Sequence, residues 1–282
     1  ENTGARSGDK TYVLYGNDTE IGSQLVTLSS GGSTALEFSH SYSNLDLAAD
    51  ETAKQVDLSV NEQGVGEISI FPPAIPDSEG LHARFDATSL SLSDQDSVTT
   101  WVDETGNGNA LTAGSAPTYI DSGINGNPSV RFDGTDDFLN VSWSAISQPT
   151  NIYIVAKLRS TGSNAYLIDG GSANEQAFRE RSGVWSLFAG NSNVNGSSVD
   201  SNNHIFSLFV DGSNSYFRVD GSVDGSGIAG SSSLSGLTVG SKGDQTNFGP
   251  FDVGEILVYP KDNTSIQTDV EQYLSTKWGI TL

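Results

Sequence analysis

The chain has 282 residues, 35 of them acidic and 13 basic, for a net charge of −22; such a charge repels nucleic-acid phosphates and anionic lipid headgroups and argues against polyanionic partners. There is no cysteine, which excludes disulfides and thiolate metal sites. No apolar run approaches the roughly 18 residues of a membrane span, so no membrane insertion is expected.

Residues 1–10 are polar and Gly-containing and read as an N-terminal arm. Short runs of alternating polarity follow at Thr11 to Tyr15, Gln24 to Leu28, Ala35 to Phe38, Gln55 to Val60 and Gly66 to Phe71. A period of two at this spacing predicts half-buried strands, which over residues 11–71 suits a small immunoglobulin-like β-sandwich used for attachment or assembly. Pro72, Pro73 and Pro76 then cluster within 72–80. Fixed φ and missing amide donors forbid a continuing central strand there, so this stretch reads as a Pro-rich linker between domains.

From residue 81 onward, short apolar runs alternate with Gly, Asn and Asp: Ser129 to Phe132, Phe138 to Val141, Asn151 to Leu158, Ala165 to Ile168, Val184 to Phe188, His204 to Val210, Tyr216 to Val219, Leu237 to Val239 and Gly254 to Tyr259. That density predicts a sandwich or jelly-roll. Near the C-terminus, Asn263 or Thr264 could cap a helix that places Ile266, Val270, Tyr273, Leu274 and Trp278 on one face before Gly279. Val-Asp-Gly-Ser occurs at Val210 to Ser213, Val219 to Ser222 and Val223 to Ser226, where Asp-Gly predicts tight hairpin turns.

The segments His204 to Gly212 and Tyr216 to Gly221 resemble the central strand pair of laminin-G-like domains, Val130 to Leu139 resembles their entry strands, and Gly254 to Tyr259 their closing strand. Phe85-Asp86-Ala87, Trp101-Val102-Asp103 with Gly106 to Asn109, and the terminal Trp278-Gly279-Ile280 are similar to bacterial and archaeal members of the concanavalin A-like lectin/glucanase superfamily. The resemblance covers about 81–282 and implies a laminin-G/concanavalin A-like jelly-roll with a short C-terminal helix in an all-β chain. A superfamily that contains lectins, adhesion modules and hydrolases leaves function to the site.

Hydrolase chemistry is not expected. The superfamily's Glu-x-Asp-x-Glu strand is missing, Glu175 and Glu180 are five apart, and Asp103 and Glu104 point to opposite faces of any strand. His40, His82 and His204 lie in strand-like contexts with no Gly-x-Ser-x-Gly elbow. Asp103, Asn107, Asp136 and Asp137 sit in loops and offer the oxygen ligands calcium prefers, against the plainer reading of solvated loop acids. A sugar site needs an aromatic face and planar polar groups; Trp185 with Arg179, Arg181 and Asp169 is the richest such cluster, unless Trp185 is core and the arginines neutralise nearby acids.

Asn17, Asn140, Asn195 and Asn263 each open an Asn-x-Ser/Thr sequon. The chain starts at Glu1 without a methionine, compatible with leader removal or particle maturation. Asp exceeds Glu and Lys is scarce, a balance that stays compact best when concentrated salt screens self-repulsion. The expectation is a non-enzymatic recognition protein at the surface of a halophilic microbe or of a virion infecting one. It would bind a cell-surface glycan or glycoprotein and assemble as a homo-oligomer or larger array. A structural decoration or filament subunit is the rival expectation.

Overall fold

In the computed structural model, residues 75–162 and 164–282 are described in full, and the backbone alone at 8–16, 19–28, 54–60 and 63–70. The chain divides into two units, Glu1–Pro73 and Ala74–Leu282. Alternation in the first unit is realised as β1 (Gly8–Gly16), β2 (Thr19–Leu28), β3 (Lys54–Val60) and β4 (Gln63–Ile70). They form one antiparallel sheet in the order β2-β1-β3-β4. Strand β1 begins inside the stretch read as an arm. The run Ala35 to Phe38 lies outside the described residues, and the described strands of this unit make one sheet layer.

The second unit is a two-sheet antiparallel sandwich. Its front sheet contains, in chain order, β6 (Thr100–Trp101), β7 (Leu111–Ser115), β10 (Phe138–Ile146), β12 (Tyr166–Gly170), β13 (Ala177–Arg181), β14 (Val184–Phe188), β15 (Asn193–Ser198) and β19 (Leu234–Val239). The spatial order is β15-β14-β13-β12-β19-β10-β7-β6. Its back sheet runs β18 (Ser222–Gly227), β17 (Ser215–Val219), β16 (Asn203–Val210), β11 (Thr150–Leu158), β20 (Phe251–Tyr259), β9 (Asn127–Arg131) and β8 (Thr118–Ile124), with β5 (Ala83–Asp86) also on β20. Every run singled out in 81–282 overlaps one of these strands.

Period-two alternation decides what each strand buries. In β11, Ile152, Ile154 and Ala156 enter the core between the sheets, whereas Tyr153 and Val155 face a second apolar layer. That layer is made by α1 (Gln267–Trp278), whose Val270, Tyr273, Leu274 and Trp278 cover the outer side of the back sheet. Burial on both faces explains the nearly continuous apolar run of this central strand. Gly254 is required where it stands, because a Cβ there would lie 2.6 Å from the Trp278 indole. The helix ends as expected at Gly279, in the left-handed region at φ 63°.

Its start differs from the expected Asn263 or Thr264 cap. A short 3-10 turn, Thr264–Ile266, precedes the helix, and neither side chain caps it. The Asp262 carboxylate accepts instead from the Thr264 amide at 2.8 Å, and the Asn263 side chain turns inward to accept from the Tyr153 hydroxyl at 3.0 Å. The expected linker also proves partly structural. Ile75 packs against the helix layer, and the Pro76 carbonyl accepts from the Tyr259 hydroxyl at 2.7 Å.

The expected tight turn forms at one of the three Asp-Gly sites, and a second site lies in a longer connection where Gly212 but not Asp211 has positive φ. Asp220 and Gly221, both at positive φ, close the β17–β18 hairpin, and Asp211-Gly212 lies in the β16–β17 connection. Asp224-Gly225 sits within β18, beside an irregularity of register. There Gly225 lies against the Phe217 ring, and Asp224 accepts from the Ser197 amide.

His204, at the start of β16, has Nδ1 2.7 Å from Asp220 and Nε2 2.8 Å from Asp200. Burial opposes its charged form, but the two carboxylates outweigh burial and raise it above the ordinary value of 6.5. A group that holds its proton more tightly when folded contributes its full stabilisation below the unfolded value and loses it as pH rises through the folded one. His204→Gln is therefore expected to flatten the stability decline between pH 6.5 and the alkaline side; an identical pH slope in denaturant titrations of both proteins would refute this linkage.

Candidate functional site

The hairpin joining β13 to β14 sets which side chains share a face. Ser182 and Gly183, at φ 54° and 83°, make a two-residue turn that pairs Arg181 with Val184, Glu180 with Trp185 and Arg179 with Ser186. Trp185 therefore shares its face with Glu180 and Phe178, and Arg179 lies on the other. The indole points into the core, stacked on Phe178 at 5.8 Å and edge-on to Phe206 at 4.7 Å, and is 1% exposed. The expectation that Trp185 offers a sugar-binding face is corrected: one-residue parity turned it inward.

The outward side of the same strands carries a different cluster. The Arg179 guanidinium lies over the Tyr166 ring at 4.7 Å and the Phe188 ring at 5.5 Å. Its Nη2 donates to Asn193 Oδ1 at 2.7 Å, which also accepts from Ser186 Oγ at 3.3 Å. The Tyr166 hydroxyl donates to Asn174 Oδ1 at 3.0 Å. Arg179 is 9% exposed, Phe188 and Asn193 are half-buried, and Arg181 is exposed. Burial, and then the like charge of Arg181, pull the Arg179 guanidinium down to about 10, so it remains cationic at neutral pH. Tyr166, Phe188, Asn174 and Asn193 were missed in the sequence, although the parity of the Ser182-Gly183 hairpin already places residues 186 and 188 on the arginine side.

Asp169 also belongs to this outward face, paired with Thr238, but it is fully buried. Its carboxylate accepts from the amides of Gly170 at 2.8 Å, Asn174 at 2.7 Å, Glu175 at 3.1 Å and Gly243 at 3.1 Å. Burial raises its pKa against these amide bonds. It is thus corrected from a ligand-bracketing acid to a positioning residue that ties loop 171–176 to loop 240–250 and sets Asn174 against Tyr166.

Of the expected calcium ligands, Asp136 and Asp137 are brought together, whereas Asp103 and Asn107 are engaged elsewhere. Asp103 folds its own loop, accepting from the amides of Arg84, Thr105 and Asn109 at 3.0 to 3.1 Å. The Asn107 amide nitrogen donates to the Leu81 and His82 carbonyls. Asp136 and Asp137 instead group with Asp133, one carboxylate oxygen of each lying within 4.8 Å of the others. Burial opposes the Asp133 anion, but the Thr135 and Asp136 amides hold it below the usual range, while burial raises Asp137. Such an all-oxygen set is of the kind hard cations accept.

The other acids considered for catalysis are engaged separately. Glu175 accepts from the Ser235 amide and hydroxyl, Glu180 from the Ala165 and Gly183 amides, and Glu104 from the Ser89 hydroxyl. Of the sequons, Asn263 is 3% exposed and accepts a hydrogen bond, so a folded chain cannot carry a glycan there; Asn195 is exposed on β15. Asn17 and His40 lie outside the described residues.

No protein-family model and no curated protein matches the chain. Solved structures do resemble it. A Trypanosoma rangeli sialidase in complex with sialic acid superposes with TM-score 0.52 at 12% identity, over 72% of this chain and 34% of the sialidase. A mutant of that sialidase displaying trans-sialidase activity gives 0.52 at 12%, over 74% and 35%. The ligand-binding domain of botulinum neurotoxin serotype D in complex with N-acetylneuraminic acid gives 0.50 at 12%, over 70% and 51%. The likeness is one of fold alone. The β-sandwich is the shared architecture, and this chain spans about a third to a half of the proteins it resembles.

Proposed function

We propose that the chain is a non-catalytic recognition protein whose second unit binds glycan on the outward face of the front sheet. The observation that carries this reading is the cluster of Tyr166, Arg179, Phe188 and Asn193 on that face, while α1 closes the back sheet. A half-buried ring beside a guanidinium and amide groups is what pyranose recognition requires: an apolar plane for the C–H face and directed polar groups for the hydroxyls. Solved structures of similar fold hold sialic acid or N-acetylneuraminic acid, which supports the reading without carrying it. The setting we propose is the exposed surface of a halophilic microbe or of a virion, where the partner is a cell-surface glycan or glycoprotein and copies assemble into a larger array; the net charge of −22 supports concentrated salt.

The test is a glycan array probed with the whole chain in molar salt, with and without calcium, the cation the Asp133, Asp136 and Asp137 loop would accept. Phe188→Ala is expected to weaken the strongest signal about tenfold, as loss of one stacking platform does, with little change in melting temperature because the ring lies outside the core. A wild-type chain that binds no glycan but self-associates would favour the structural-subunit alternative and overturn this reading.

A further inference from the structure

We infer that the glycan accepted by this face is acidic, and that Arg179, assisted by Arg181, reads its carboxylate or sulfate group. This rests on the glycan-binding reading above and adds the ligand's charge class.

The chain has 35 acidic residues for 13 basic ones, so a cation without an acid is unexpected. The other arginines of the second unit follow that expectation: Arg84 holds Asp86 and Glu255, Arg131 and Arg159 hold Asp252, and Arg218 holds Glu271. Arg179 and Arg181 break it. Among the described residues neither pairs with a carboxylate, although they stand two apart on one face of β13, where their charges repel.

Burial sharpens the point. Arg179 is nine-tenths buried, its Nε is enclosed without a partner among the described residues, and its acceptor among them is the neutral Asn193 amide oxygen. A guanidinium withdrawn from water normally receives a countercharge, because burying an uncompensated ion is costly. Two aromatic rings and an asparagine hold the planar group in place without neutralising it. Nη1 bonds to no described protein group. The remaining donor edge suits a planar carboxylate or a sulfate, to which a fixed guanidinium donates short, charge-assisted hydrogen bonds.

The chain's negative field would repel such a ligand at a distance. In molar salt the screening length falls to roughly 3 Å, which removes that repulsion and leaves the contact pair within the site. Selectivity for an anion and an acidic surface are thus compatible in concentrated salt.

The whole chain should be titrated, in molar salt, with three matched pairs: a sialylated oligosaccharide and its methyl ester, an oligouronate and its methyl ester, and a sulfated oligosaccharide and its desulfated form. The expected result is that at least one acidic form binds about tenfold or more tightly than its neutral partner, and the pair showing the preference identifies carboxylate or sulfate. Arg179→Gln should abolish that preference, and Arg179→Lys should restore part of it. Because Arg179 is buried, the exposed Arg181→Gln serves as the variant that leaves the fold intact, and it should reduce the preference several-fold. Equal binding of acidic and neutral forms, unchanged in Arg181→Gln, would overturn the charge assignment while leaving glycan binding standing. Failure of every sugar, acidic and neutral, to bind would overturn both.

Discussion

Glu255→Ala is expected to lower the stability of the second unit by about 3–5 kcal/mol, the range seen when one member of a buried ionic network is removed. Glu255 is fully buried on β20 and receives four donors: Arg84 Nε at 3.1 Å, Lys277 Nζ at 2.8 Å, the Tyr273 hydroxyl at 2.9 Å and the Trp278 indole at 2.9 Å. Asp86 completes the set by pairing with Arg84 at 2.8 Å and with Lys277. Burial pulls the Arg84 guanidinium down, yet Glu255, Tyr273 and Asp86 outweigh it and raise it above its ordinary value. Alanine would leave Arg84 and Lys277 to share Asp86 alone and would strip the Tyr273 hydroxyl and the Trp278 indole of their acceptor beneath the helix. Urea unfolding of the whole chain measures the loss; a decrease below about 1 kcal/mol would show that water or rearrangement replaces the carboxylate. The carboxylate of Asp86, which burial opposes but Lys277 holds below its ordinary range, adds stability above its unfolded pKa that disappears as pH falls through the folded one.

Trp185→Ala is the second large effect, about 3–5 kcal/mol for deleting a buried indole from a packed core. The residue separates two accounts of the front sheet. If it belongs to the core, as its stacking on Phe178 and edge contact with Phe206 indicate, the variant should melt much earlier while its folded fraction keeps glycan affinity. Phe188→Ala should show the converse pattern, intact melting with weakened binding. A Trp185→Ala protein that melted like wild type and lost binding would return the indole to the ligand and overturn the face assignment made here. Melting curves and titrations of the two variants side by side decide between them.

Much of the fold was legible along the chain. Alternating runs marked β9, β11, β14, β16 and β20, Asp220-Gly221 marked a turn because two positive φ values favour those residue types, and Gly279 marked the end of α1. These are local signals, each decided within a few residues. β13, β15 and β18 were harder to see, since Gln176 to Arg181 and Asn193 to Ser198 are polar enough to look like loops. The outward faces of β13 and β15 hold part of the candidate site, so the polarity that hid those two as strands is part of what the site is made of.

The candidate site was half legible for the same reason. Scarcity singled out Arg179 and Arg181, a property of composition that needs no coordinates. Tyr166, Phe188 and Asn193 join Arg179 through pairing across β12, β13, β14 and β15, and nothing in their local sequence distinguishes them from other strand residues. Asp169 looked like a ligand until four amides from two loops were seen to occupy it. Composition and periodicity by themselves determined that this chain is acidic, β-rich and closed by a short helix. Tertiary structure alone decided which side of each strand meets water, because a side chain's face depends on register, and register is set by pairing partners far away in the chain.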